Sequence, residues 1–178
     1  MDPAIDLTLR CGLALLFLVA ASHKLRDPVY FRATLIDYRI VPGGTAGLVA
    51  LLVTGAELAI APALLVPALR PAGLAGAASL LALYGLAIAV NLARGRRHID
   101  CGCAGPALRR PISGALVVRN AVLAAGALLA LRPVAARPLV WVDALTVGAA
   151  LLSASALYAA VDRMLSEAPL RARLWSEP

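Results

Sequence analysis

Residues 44–93 read GTAGLVALLVTGAELAIAPALLVPALRPAGLAGAASLLALYGLAIAVNLA, and Glu57 and Arg70 are the only acidic or basic side chains among them. Two continuous apolar runs, Gly44–Ala68 and Ala72–Ala93, flank the dipeptide Arg70-Pro71. Each run is near the length, about 17–25 residues, that an α-helix needs to cross a bilayer's hydrocarbon. Neither alternates as a barrel strand would, and Arg70-Pro71 is a breaker. The stretch therefore predicts two antiparallel membrane helices joined by a tight turn.

The same reading finds three further runs, Ile5–Ala21, Gly114–Leu131 and Leu139–Val161. The whole chain is 61% hydrophobic and 15% charged over 178 residues, with a mean hydropathy of +0.84. That balance excludes an ordinary soluble domain. The expected fold is an all-α, polytopic transmembrane bundle of about five spans, a core of four helices plus one, forming a single membrane domain over 1–178. Small residues at Val19-Ala20-Ala21-Ser22 could mark a signal-peptide cleavage site, but in the n-region Asp2 and Asp6 outweigh Arg10. A secretory signal carries a positive n-region, so the segment is assigned as a helix. The formal net charge of +7 is assigned to loops facing anionic lipid, not to nucleic acid.

Between the first two spans, Phe31, Leu35 and Tyr38 recur at helical spacing and predict a short interfacial helix, ended by Pro42-Gly43-Gly44. The loop 94–113 carries RHIDCGCAGP at 97–106, with two of the chain's three cysteines. Thiols at i and i+2 in a bent segment lie within the separation a disulfide tolerates, and Gly102 has no Cβ to clash. A ring that small is strained, and strained exposed disulfides are the exchange-prone ones. Arg96, Arg97 and His98 would favour the thiolate, the reactive form. Cys11 lies 13 residues before Lys24, about 20 Å of helical rise from the cysteine end, and reads as a small buried hydrophobe.

Polar residues inside the spans fall into two layers by helical rise. Arg10, Glu57 and Asp143 lie toward the face opposite the cysteines, where Arg10 is expected to pair with Glu57 or Asp143 and hold helices together. Asn91, Arg119 and Asn120 lie below the cysteine loop and, with His23 and Lys24, are expected to surround the thiols. Arg119 shows no acid at its own depth, which fits a thiolate, a bound anion or a cofactor headgroup. Sidedness follows from basic residues. With five spans, Lys24, Arg26, Arg32, Arg39, Arg94, Arg96, Arg97, Arg109, Arg110, Arg163, Arg171 and Arg173 share the cysteine face, against Arg10, Arg70, Arg132 and Arg137 opposite. The positive-inside rule then places the cysteines in the cytoplasm.

The segments Lys24-Leu25-Arg26-Asp27 with Phe31, Leu35, Tyr38 and Pro42, then Gly55-Ala56-Glu57-Leu58, then Asn91-Leu92-Ala93-Arg94-Gly95-Arg96 leading to Ile99-Asp100-Cys101-Gly102-Cys103 resemble the methylamine-utilisation protein MauE family, related to DoxX-like membrane proteins. The resemblance runs from the first helix to Arg119-Asn120. It implies a bacterial cytoplasmic-membrane protein that helps mature an exported, disulfide-dense protein, the small subunit of methylamine dehydrogenase, together with a thioredoxin-fold partner. Cys101 and Cys103 would exchange with that partner's thiols, tuned by His98 and Arg119, with Asn91 and Asn120 positioning the loop or a small ligand. An exported client implies the cysteines outside, against the basic-residue count. A membrane quinone is the electron acceptor that the lipid phase offers. Two other classes stay open: binding or transport of a soft metal, Hg(II), Cu(I) or Zn, by the thiolate pair, and a noncatalytic membrane assembly factor.

Overall fold

The computed structural model describes residues 1–102 and 111–174, with side chains to Val161 and that of Met164. Cys103, Arg109 and Arg110 lie outside the described residues, as do the side chains of Arg163, Arg171 and Arg173. Six α-helices follow in order: α1 (Pro3–Arg26), α2 (Pro28–Tyr38), α3 (Ala46–Leu65), α4 (Arg70–Ala93), α5 (Gly114–Leu129) and α6 (Trp141–Leu174). The chain is an all-helical membrane protein, as the apolar runs predict. Among the described residues four helices are long and apolar enough to span a bilayer, and α5, with 16 residues, is a shorter apolar helix. The boundaries differ mainly where charged residues continue a helix past its apolar run: α1 extends from 21 to Arg26 and α6 from 161 to Leu174.

Local chemistry sets the starts and stops. Asp2-Pro3 and Asp27-Pro28 open α1 and α2 in the same way: each aspartate side chain accepts a first-turn N–H, from Ala4 at 2.8 Å and Tyr30 at 2.9 Å, and each proline occupies the first helical position. At the end of α4, Gly95 adopts φ +75° and its N–H bonds to the Leu92 carbonyl at 3.0 Å, a stop that needs glycine's freedom.

The core cluster joins Leu13, Ala14 and Phe17 of α1, Ala61 and Leu64 of α3, Leu74, Ala77 and Leu81 of α4, and Ala124 and Ala127 of α5. Small residues let backbones approach closely. A Cβ on Gly73 would stand 2.7 Å from Leu64 N and 2.8 Å from Ala63 C, so the first turn of α4 touches the last turn of α3. Outside this four-helix core, α6 packs mainly along α1 and buries little beyond Val147.

The end opposite the cysteines is tied by charge. Asp6 accepts from Arg10 Nε at 2.8 Å and from Arg70 Nε and Nη2 at 3.0 and 2.8 Å. Arg70 also donates to the carbonyls of Ala130 and Arg132, and Arg10 to that of Leu64 at 2.9 Å. Arg137 clamps Asp2 and Asp143 between the chain start and α6. The expected pairing of Arg10 with Glu57 or Asp143 is therefore corrected. Side chains on a helix lean toward its N-terminus, which carries Arg10 away from mid-membrane and onto Asp6, one turn earlier on the same face.

Candidate functional site

Glu57, deep in α3, is fully buried and bonds to Lys24 Nζ at 2.5 Å and to the Tyr84 hydroxyl at 2.7 Å, both through Oε1. Lys24 is itself 4% exposed, and its ammonium lies 5.0 Å from the Phe31 ring centre and 5.4 Å from that of Tyr84. The lean of side chains explains the pairing: α1 and α3 are antiparallel, so Lys24 tilts down into the bundle while Glu57 tilts up toward it. Carboxylate and two aromatic faces together replace the water that a buried ammonium loses. Lys24, expected beside the thiols, is thus held by Glu57 within the bundle. Glu57 Oε2 is buried with no hydrogen-bond partner among the described residues.

Above this centre the cysteine loop docks on α2. Its stem is closed by a bridge between Asp100 and Pro111 and by Ile112 N–H donating to the Ile99 carbonyl at 2.9 Å. Asp100 then accepts twice, from the Tyr30 hydroxyl on one oxygen and from Gly102 N–H at 3.2 Å on the other. Gly102 has φ +74°, and a Cβ there would lie 2.9 Å from Thr34 Cγ2 and 3.7 Å from Phe31 Cδ2. Glycine is needed twice over, for its backbone conformation and for its closeness to α2. Cys101 is half-buried against the cluster of Tyr38, Ile88, Ile99, Ile112 and Leu116. Cys103 lies outside the described residues. A cavity of about 360 Å³ opens beside the loop, lined by Tyr30, Thr34, Asp37, His98 and Asp100 among others.

The remaining expected residues separate. His98 is exposed at the rim of that cavity. Asn91 and Asn120 are buried, their amides donating back to the carbonyls of Ala87 at 3.1 Å and Leu116 at 2.8 Å. The Asn120 Cβ packs 3.4 Å from where a Cβ on Gly85 would stand, at the α4–α5 contact. Arg119 turns to α6, donating to the Tyr158 hydroxyl at 3.0 Å with its guanidinium 5.8 Å from that ring. Asp143 serves Arg137, and Cys11 is half-buried in α1. Sequence reasoning missed Tyr30, Thr34, Tyr84 and Asp100. Thr34 was within reach, because Phe31, Thr34 and Tyr38 form the buried stripe of α2, whereas nothing local marks Tyr30 or Tyr84. Among the described residues no three His, Cys, Asp or Glu side chains converge as a metal cluster.

A four-helix core of apolar helices, a buried Lys–Glu pair and a cysteine loop seated on a short helix define a polytopic membrane protein. Comparison with known proteins then places it: the family model "Methylamine utilisation protein MauE" matches residues 2–133, and the chain belongs to that family. It is similar to the methylamine utilization protein MauE of Paracoccus versutus, 43% identical over 139 residues, 77% of this chain and 74% of the relative. The MauE of Paracoccus denitrificans is 41% identical over 128 residues, covering 72% and 69%. That of Methylophilus methylotrophus is 39% identical over 170 residues, covering 92% and 87%. No solved structure matches. The family match ends at 133, before α6.

Proposed function

We propose that this chain is a thiol–disulfide relay of the bacterial cytoplasmic membrane, acting in methylamine utilisation by exchanging electrons through Cys101 and Cys103 with a thioredoxin-fold protein. The observation that carries the reading is the seating of the loop. Asp100 and Gly102 fix the backbone on either side of Cys101 against α2, so that a cysteine in a Cys-Gly-Cys sequence is held half-buried at the end of the bundle. Proper orientation of a nucleophile removes much of the entropy of encounter.

In the exchange, one thiolate attacks a sulfur of the partner's disulfide, forming a mixed disulfide and releasing one partner thiol. The second cysteine then attacks its neighbour's sulfur and releases the other. Two electrons and two protons pass from this chain to the partner, and the reverse runs through the same steps. The client at the end of the relay is an exported, disulfide-rich protein such as the methylamine dehydrogenase small subunit. Such a client sets the loop on the exported side. Lys24 does not weigh against this, because it is buried and neutralised by Glu57 and adds no charge to the loop surface.

The test is a trap. With Cys103→Ser or Cys101→Ser the resolving thiol is gone, and one of the two variants should accumulate a mixed disulfide with a thioredoxin-fold partner, visible as a reducible adduct. Impermeant maleimide should label the reduced pair in intact cells. If neither variant traps a partner and the double serine variant still supports maturation, the protein is an assembly factor and the relay is excluded.

A further inference from the structure

A second cavity, of about 400 Å³, lies between α2 and α3. Its lining includes Lys24, Val29, Phe31, Gly47, Ala50 and Thr54. Exposed Val29 and Leu51 stand at its edges, so in a bilayer it opens sideways into lipid near the cysteine end. From this geometry we infer a binding site for the head of a lipid-soluble quinone, an inference that rests on the relay reading and names its electron acceptor.

Three observations favour a neutral carbonyl head over a lipid phosphate, although Arg32 also lines the cavity. The ammonium of Lys24 is already neutralised by Glu57 at 2.5 Å, which leaves it able to donate a hydrogen bond while weakening its pull on an anion. The Thr54 hydroxyl spends its proton on the Ala50 carbonyl at 2.9 Å, so its oxygen presents an acceptor to the site, suited to a quinol O–H. Most of the other lining is aliphatic, with the Phe31 ring as a stacking surface. Phe31 also joins the two sites: it lines the cavity and stands 3.7 Å from where a Cβ on Gly102 would lie. One side chain therefore separates the cavity from the cysteine loop.

The reaction balances as dithiol plus quinone giving disulfide plus quinol. Two electrons and two protons leave Cys101 and Cys103, a sulfur–sulfur bond forms, and both carbonyl oxygens become hydroxyls. Lys24 is the donor placed to deliver a proton to one of them, and one of the two protons released by the thiols restores its ammonium, while Glu57 remains the carboxylate that holds it.

The experiment uses full-length protein in detergent, reduced and then mixed with decylubiquinone. Thiol loss is followed by alkylation and mass measurement, and quinol formation by ultraviolet absorbance. Gly47→Leu adds side-chain volume at the cavity wall, where a Cβ meets nothing closer than Arg32 Nε at 3.8 Å. It should slow quinone-dependent oxidation by at least about tenfold, equivalent to about 1.4 kcal/mol. Exchange between the same variant and a thioredoxin-fold disulfide should be unchanged. Ala50→Phe gives a second, independent filling. Oxidation at the wild-type rate in both variants overturns the site, as does co-purified phospholipid that decylubiquinone fails to displace. Failure of the relay itself shows separately, as wild-type protein that exchanges with no thioredoxin-fold disulfide even when quinone is absent.

Discussion

Gly102 shows how much a single missing side chain decides. A left-handed backbone costs a non-glycine residue about 1–2 kcal/mol, and here the new methyl would also meet Thr34 at 2.9 Å. Gly102→Ala should therefore release the loop from α2, raising the alkylation rate of Cys101 and the rate of proteolysis within the loop. Thr34→Ala in the same chain should restore part of the protection by removing the contact while leaving the backbone penalty. The second residue-scale prediction concerns the pair beneath. Removing one member of a buried ion pair strands the other, at a cost of about 3–5 kcal/mol. Lys24→Met or Glu57→Gln alone should lower the thermal stability of purified protein sharply, whereas Lys24→Met with Glu57→Gln should recover much of it. Additive losses in that double-mutant cycle would show that the two do not act as a pair.

At the scale of elements, the α3–α4 hairpin depends on Gly73. Its hydrogen faces backbone atoms of Ala63 and Leu64, which cannot rotate aside as a side-chain tip could. Gly73→Ala should push the two helices apart and destabilise the protein by about 1–3 kcal/mol, the usual range for overpacking. Gly55→Ala, with nothing within 4 Å of the added Cβ, is the control and should be tolerated in the same melting experiment. The sequence made the helices themselves legible, because continuous apolar runs and the breakers Pro42-Gly43-Gly44 and Arg70-Pro71 are local signals. Side-chain partners were not legible to the same degree. Counting rise put Glu57 in the layer opposite the cysteines and Lys24 in the layer beside them, yet the two side chains meet, because rise along a helix says nothing of the direction in which a side chain leans. That direction gives Lys24 to Glu57 and Arg10 to Asp6. Asp6 had been weighed only as part of the chain's leading charge and not as a membrane group. The Cys-Gly-Cys loop stood out in the sequence, yet its seat on Tyr30 and Thr34 did not, because contacts between residues about 70 positions apart leave no local pattern.

In the molecule as a whole, the charged clamp of Arg137 and the seated cysteine loop occupy opposite ends. At the clamped end, Arg137 and then the Ala4 N–H hold the Asp2 carboxyl below its ordinary value of 3.8. A carboxylate depressed in the folded state adds stability that is complete above its unfolded value and is lost as pH falls through the folded one. Melting temperature should therefore show an acid-sensitive component confined to pH values below about 4. Asp2→Asn should remove it. The component should be small, since 39% of the Asp2 side chain is exposed. Thiol exchange at the far end should keep its pH profile in the same variant.

The Lys24–Glu57 pair also dictates an order of events during synthesis. The chain emerges from its N-terminus, so α1 meets the membrane with its lysine 33 residues before the matching glutamate exists. Until then the long lysine stem can only reach back to the aqueous boundary, holding the first helix high in the bilayer. We expect nascent chains released before residue 57 to leave α1 extractable by alkali, and chains extended past residue 65 to resist extraction. Glu57→Gln should abolish that change. The first span would then be a helix that waits for the second before it settles.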